Sequence, residues 1–226
     1  MMKLEELSSS ELRRVVESGV AMAVVPFGSV EAHGGHLPLG SDAVLADVVG
    51  EAVAERLGAV LAPTVRVGCA EAHMQRSGTL SVPAETLCDV ALHIARSLIN
   101  HGFRVIVLLS THGGNQAVLE EAALQLNGQH RGVLACAPRG DVGPAPGAHS
   151  GQWLTSVMLV VRPDLVDVES ADPDIKDEAR TATAERGADN LERFVSTVAE
   201  TVRDARPLGS GSFADSGASA TERKRC

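Results

Sequence analysis

Fifteen residues, Gly28 to Asp42, hold two imidazoles (His33, His36) and two carboxylates (Glu31, Asp42), with four glycines and Pro38 to bend the backbone around them. Imidazole and carboxylate donors without thiolate suit zinc, manganese or iron, and a carboxylate such as Asp42 could bridge two ions. A divalent ion held there would acidify water and polarise a carbonyl, which is equipment for hydrolysing an amide, particularly a small or cyclic one. Two further polar clusters could complete such a site: His112-Gly113-Gly114-Asn115 and His149-Ser150-Gly151-Gln152-Trp153. Ser110, Thr111 and Ser156 lie in no Gly-x-Ser-x-Gly turn, so the sequence does not favour a serine nucleophile.

Elements that could position these groups follow from the apolar pattern. Val20 to Phe27 is a continuous apolar run, as expected of a parallel strand buried on both faces, and it ends where the first cluster begins. Arg104 to Ser110 is the strongest strand signal and ends at His112, while Val133 to Ala137 is a further strand upstream of the third cluster. A strand region over Ala59 to Val67 is interrupted by Pro63. Helices are predicted over Glu11–Glu17, Ala43–Leu57, Ala84–Asn100 and Gln116–Leu126, and again where Leu191, Phe194, Val195, Val198 and Val202 recur at helical steps. Thr155 to Val161 reads as either strand or helix before Pro163. Alternating strands and helices give an α/β fold: a three-layer sandwich, a mostly parallel central sheet with helices on both faces. Ligands in such folds collect beyond the carboxyl ends of the strands, so residues some seventy positions apart in sequence become neighbours there.

The 226 residues suffice for one core, read as a single domain over 1–206 followed by a Gly/Ser/Ala-rich tail, 207–226, with the composition of a disordered segment. A net charge of −9 argues against nucleic acid as a partner. Cys69, Cys88, Cys136 and Cys226 form no Cys-x-x-Cys pair and read as free thiols. No apolar run is long enough to span a membrane and the first residues form no secretory signal, so a cytoplasmic protein is expected.

The segment Pro26 to Asp42 resembles the signature of the creatininase (creatinine amidohydrolase) family. Ser110-Thr111-His112-Gly113-Gly114-Asn115 is similar to that family's His-Gly-Gly-Asn turn, and Gly78-Thr79-Leu80-Ser81 to its Gly-Thr-Leu-Ser element. The resemblance covers roughly residues 20 to 165. It implies a metal-dependent amidohydrolase acting on a C–N bond of a small molecule or short peptide, with one or two divalent ions (Zn, Mn or Fe), commonly as a homohexamer. The ligands would fall on Glu31, His33, Asp42 and His112. His149 becomes the candidate for proton transfer to the leaving nitrogen, and His36 either a ligand or a group supporting the ligands. The third cluster departs from the pattern. Leu154 stands where the family has glutamate, and Ser77 replaces a proline common before the Gly-Thr element. Leucine can neither ligate a cation nor move a proton. Glu71 is the nearest substitute carboxylate, and neighbouring His73 reads more readily as a structural or exposed residue than a catalytic one. Leu154 also leaves open a binding or regulatory subunit that has lost activity.

Overall fold

The computed structural model describes residues 1–142 and 149–205. Five strands, β1 (Met2–Lys3), β2 (Met22–Phe27), β3 (Val60–Leu61), β4 (Val105–Ser110) and β5 (Leu134–Cys136), form a sheet in the order β1-β3-β2-β4-β5, every pair parallel. The two long strands lie side by side at its centre. Their register pairs Met22 with Val105 and Phe27 with Ser110, so both chains leave the sheet at the same level.

Successive side chains of a strand point to opposite faces, and that alternation divides the core in two. Met22, Val24, Val105, Val107 and Leu109 pack against α2 (Ser41–Leu57), α5 (Gln152–Val161) and α7 (Ala184–Ala205). Ala23, Val25, Phe27, Ile106 and Leu108 pack against α3 (Ala84–Asn100) and α4 (Gly113–Gln129), with α1 (Ser9–Glu17) at the margin through Leu12, Val15 and Val16. Each fully buried Leu, Val or Phe contributes roughly 1.5–3 kcal/mol relative to exposure, which together with the β-propensity of Val and Ile places these continuous apolar runs at the centre of the sheet. The expected three-layer α/β sandwich is therefore the observed architecture. A short helix, α6 (Lys176–Arg180), precedes α7.

Local chemistry sets the boundaries. Ser8 caps α1 and Glu11 returns the bond to the Ser8 backbone, so the helix starts at Ser9, earlier than the apolar pattern alone predicts. Gly58, with φ of 64°, closes α2 in the left-handed region. The strand expected over Ala59 to Val67 shrinks to Val60–Leu61, because Pro63 lacks the N–H that a ladder requires; one bridge, Phe27 to Val65, resumes it. Thr155 to Val161 is helical, within α5, because its apolar side packs against α7. Met2–Lys3, too short to be read from its sequence, adds the edge strand beside β3. The predicted tail and half of the Gly/Pro-rich stretch from Pro138 to Gly147 lie outside the described residues.

Candidate metal centre

The β2 chain continues into the loop that carries Glu31, His33 and His36, α2 opens with Ser41 and Asp42, and β4 ends one residue before Thr111-His112. Close approach of these three elements depends on Gly28. A Cβ there would lie 2.5 Å from the Ala43 Cα and 2.9 Å from the Asp42 carbonyl oxygen. Thr111 Oγ1 donates to that same Asp42 carbonyl at 2.7 Å, fastening the start of α2 to the end of β4.

Four side chains meet at this corner. His112 Nδ1 lies 3.1 Å from Asp42 Oδ2 and 3.2 Å from Glu31 Oε2; His33 Nε2 lies 3.5 Å from Asp42 Oδ1 and 3.8 Å from Glu31 Oε1. All four are buried. The outer nitrogens fix the tautomers. A backbone carbonyl can only accept, so His112 Nε2 donates to the Cys69 carbonyl (2.9 Å) and His33 Nδ1 donates to the Glu31 carbonyl (3.0 Å). The other nitrogen of each ring faces the carboxylates, the orientation a ligating histidine takes when its outer N–H is anchored to a carbonyl.

Lone pairs aimed at carboxylate oxygens repel unless a cation, a proton or a metal ion, stands between them. Glu31 Oε1 and His33 Nε2 are buried and have no hydrogen-bond partner. Such groups are costly to bury unless something satisfies them, so the donor set fits a divalent ion. Two groupings of potential ligand atoms converge, Glu31/Asp42/His112 and Glu31/His33/His149, with Glu31 common to both. Without an ion, a proton takes the place. Burial lowers the His112 pKa, but bonds to Asp42 and Glu31 outweigh it and raise the group to about 10. Burial likewise opposes ionisation of Asp42 and Glu31, and their bonds to the histidines more than offset it, leaving both carboxyls below their usual range. His33 is raised against its burial by Asp42 and Glu31.

Neighbouring groups hold this arrangement. Asn115, in the first turn of α4, donates through Nδ2 to the Gly28 carbonyl (2.9 Å) and accepts at Oδ1 from the Cys69 N–H (2.9 Å), joining both segments to the start of that helix. Ser29 Oγ donates to Glu31 Oε2 at 3.0 Å. Gly114 lets the Cys69 carbonyl reach His112, since a Cβ at 114 would lie 2.1 Å from that oxygen and 2.5 Å from His112 Nε2.

The remaining sequence candidates separate. His149, with 45% of its side-chain surface exposed, brings Nδ1 to 3.5 Å from Glu31 Oε1. His36 is buried but turned away: its Nε2 donates to the Ser150 carbonyl (2.9 Å) and lies 3.1 Å from Thr155 Oγ1. It therefore braces the residue after His149, and Ser150 has a left-handed backbone with φ of 58°. Leu154 is buried and lines the cavity beside Trp153 and Phe194. Glu71 does not replace the missing glutamate. It is exposed on a 3-10 turn, Glu71–His73, and belongs to neither ligand grouping. His73, two residues on, turns inward and places Nε2 at 3.7 Å from Glu31 Oε1. Sequence reasoning underweighted it, because a lone histidine in a loop carries no periodicity. Its place between β3 and the Gly-Thr-Leu-Ser element was the available signal. His33, Asp42 and His112 line a cavity of about 590 Å³, together with apolar Leu45, Trp153, Leu154 and Phe194 and polar Gln116 and Arg139.

A parallel α/β sandwich with a carboxylate–imidazole centre at the carboxyl ends of its two middle strands defines a protein equipped to hold a divalent ion. The creatinine amidohydrolase (Creatininase) family model matches residues 5–222, and the chain belongs to the creatininase family. It is 37% identical over 154 residues to the mycofactocin precursor peptide peptidase of Mycobacterium ulcerans (strain Agy99), a match covering 63% of this chain and 59% of that protein. Matches to the other mycofactocin precursor peptide peptidases likewise span only about three-fifths of their length. Similarity to the creatinine amidohydrolase of Pseudomonas putida is 27% over 252 residues, covering 89% of this chain and 96% of that protein. A crystal structure of creatinine amidohydrolase superposes with a TM-score of 0.77 at 26% identity, over 92% of this chain and 99% of that one. Among the described residues no helix is long and apolar enough to cross a membrane.

Proposed function

We propose that this chain is a divalent-metal-dependent amidohydrolase that cleaves a C–N bond of a small cyclic amide or short peptide. The observation that carries this reading is the buried convergence of Glu31, His33, Asp42 and His112 around unpartnered ligand atoms at the floor of an open cavity. A bound ion would supply Lewis acidity for the carbonyl and for water. Solved creatininases include a manganese form and a mutant of zinc–zinc type, which supports zinc or manganese here.

In this reading Glu31 and Asp42 provide the negative charge of the centre, and His33 and His112 present fixed nitrogens to it. His149 stands at the mouth. Partial burial, with His33 and His73 beside it, holds its pKa below the ordinary histidine value, so the ring is neutral near pH 7 and can accept a proton. Water adds to the carbonyl carbon, His149 takes the proton released, and the C–N bond breaks as His149 passes that proton to the departing nitrogen. His36, through Ser150, positions His149. The curated relatives support two substrate classes, a cyclic amide and a peptide. A cytoplasmic homo-oligomer, hexameric by family resemblance, belongs to the same reading.

The alternative, a non-catalytic binding subunit, rests on Leu154. Against it stands the retention of Glu31, His33, Asp42 and His112 together, with Glu31 Oε1 and His33 Nε2 buried and left without a hydrogen-bond partner. The test is turnover of a panel of lactams, simple amides and short peptides by protein loaded with zinc, manganese or iron, with His33→Ala as control. Metal-dependent hydrolysis abolished in His33→Ala is expected. A metal-loaded protein that hydrolyses nothing in the panel would favour the binding subunit.

A further inference from the structure

The loop from Gly68 to Gly78 offers Glu71 and His73 in sequence, and it touches the centre at two points. Its first contact, the Cys69 carbonyl, orients His112. The second is His73. The His73 ring stacks on that of His149 with centroids 4.5 Å apart and planes 12° apart, and His149 also stacks on His33 at 4.8 Å and 27°. His149 is thus the middle ring of three. The two outer rings differ in what fixes them. His33 is buried and anchored through Nδ1 to the Glu31 carbonyl, whereas His73 rides on the 3-10 turn. That turn is stiffened by the His73 N–H donating to the Ala70 carbonyl (2.9 Å) and the Arg76 N–H donating to the His73 carbonyl (2.9 Å). Ser81 Oγ accepts from the Ala70 N–H at 2.9 Å, tying the turn to the Gly78–Ser81 segment.

His149 needs such a constraint. Nearly half its side-chain surface is open to solvent, and among the described residues the polar contact of its ring is the 3.5 Å approach of Nδ1 to Glu31 Oε1. A proton carrier works only when its ring is held within reach of both the attacking water and the leaving group. The braced Ser150 carbonyl fixes the backbone beside it but leaves the imidazole free to rotate about its side-chain bonds. His73 closes the exposed face.

We propose that His73 is a positioning residue that clamps the His149 imidazole against His33 by ring stacking. The clamp acts through the flat face of the ring rather than through its nitrogens, so an aromatic without nitrogen can replace it. His73 Nε2 and His149 Nδ1 also approach one oxygen, Glu31 Oε1, at 3.7 and 3.5 Å, so replacing His73 by an aromatic without nitrogen separates the stacking contact from that approach.

The proposal rests on the hydrolase reading for its kinetic consequence but not for its structural one. His73→Ala should lower kcat about threefold to tenfold with KM and bound metal little changed, and His73→Phe should restore kcat, as expected for a stacking contact of ordinary strength. A second measurement needs no substrate. In imidazole NMR spectra of the full chain, assigned with His149→Asn, the His149 ring protons should be shifted upfield by stacking in the wild type and in His73→Phe, and should move to their unstacked positions in His73→Ala. If His73→Phe loses metal and activity to the same extent as His73→Ala, His73 acts through its nitrogen and the clamp is wrong. Unchanged His149 resonances in His73→Ala overturn it as well. Absence of any metal-dependent turnover with the predicted NMR shifts intact would defeat the hydrolase reading and leave the clamp standing.

Discussion

Two adjacent glycines at the start of α4 should respond in opposite ways to the same added methyl group. Neither has a positive φ, so alanine fits the backbone at both. A Cβ on Gly113 meets nothing within 4 Å; one on Gly114 would lie 2.1 Å from the Cys69 carbonyl oxygen and 2.5 Å from His112 Nε2. Real Cβ contacts begin near 3.0 Å, so in Gly114→Ala the Cys69 carbonyl must withdraw by about 0.9 Å. That oxygen is the acceptor that orients His112, and a hydrogen bond already 2.9 Å long does not survive such a shift at full strength. The neighbouring Cys69 N–H to Asn115 bond moves with it. Overpacking should cost about 1–3 kcal/mol of stability. Losing the group that orients a ligand should weaken metal binding by about 10–100-fold. Gly113→Ala should leave metal binding unchanged and stabilise α4 by up to about 1 kcal/mol through helix propensity. Competition with a chromogenic chelator gives the affinities, and thermal unfolding of metal-free protein gives the stabilities. If Gly114→Ala binds zinc within threefold of the wild type, the Cys69 carbonyl is not what orients His112.

Raising pH should affect the metal-free and metal-loaded chains differently. The His112 pKa is raised to about 10 against an ordinary 6.5, so its contribution to metal-free stability is complete below pH 6.5 and is lost as pH rises toward 10. The metal-free melting temperature should therefore fall across that window. A metal ion must displace the same proton, so its affinity should climb by about tenfold per pH unit between pH 7 and 9, measured by competition titration. His36→Ala should remove the brace on Ser150, costing about 1–3 kcal/mol in unfolding free energy, with bound metal unchanged by elemental analysis; loss of metal would make His36 a ligand after all. Leu154→Glu should destabilise the metal-free chain by about 3 kcal/mol as an unpaired buried carboxylate, with metal restoring most of the loss, both read by thermal unfolding.

Some of this architecture was legible in the sequence because one physical cause dominated. Met22–Phe27 and Val105–Ser110 are apolar on both faces and have no reason to be anything but central strands; the polar groups at their carboxyl ends then had to share a corner. Other segments balance competing causes. Val60–Leu61 is short because Pro63 removes a donor just where the apolar run suggests continuation. Thr155–Val161 has strand-like composition but is helical, and the decision is made by α7, more than twenty residues downstream. His36 and His33 look equivalent in sequence, three residues apart in one glycine-rich loop. The chain turns one toward Asp42 and the other toward Ser150, and only the fold separates a ligand candidate from a brace. His73 needed the same information.

Leu154 is best understood through the charge of the centre. With His33 and His112 neutral, Glu31 and Asp42 carry two negative charges in a buried corner, and one divalent ion balances them. A second ion would bring two further positive charges, and a third carboxylate at position 154 would offset part of that excess. Leucine offsets none. It instead extends the apolar wall formed with Leu45, Trp153 and Phe194, so the cavity offers a substrate van der Waals contact where a glutamate would offer charge. In the proposed hydrolase the same replacement would weaken the hold on any second ion and would make the site more accommodating to an apolar group beside the scissile bond. Both effects would leave the candidate ligand group Glu31, Asp42 and His112 untouched, so in the proposed function loss of the glutamate would not by itself amount to loss of catalysis.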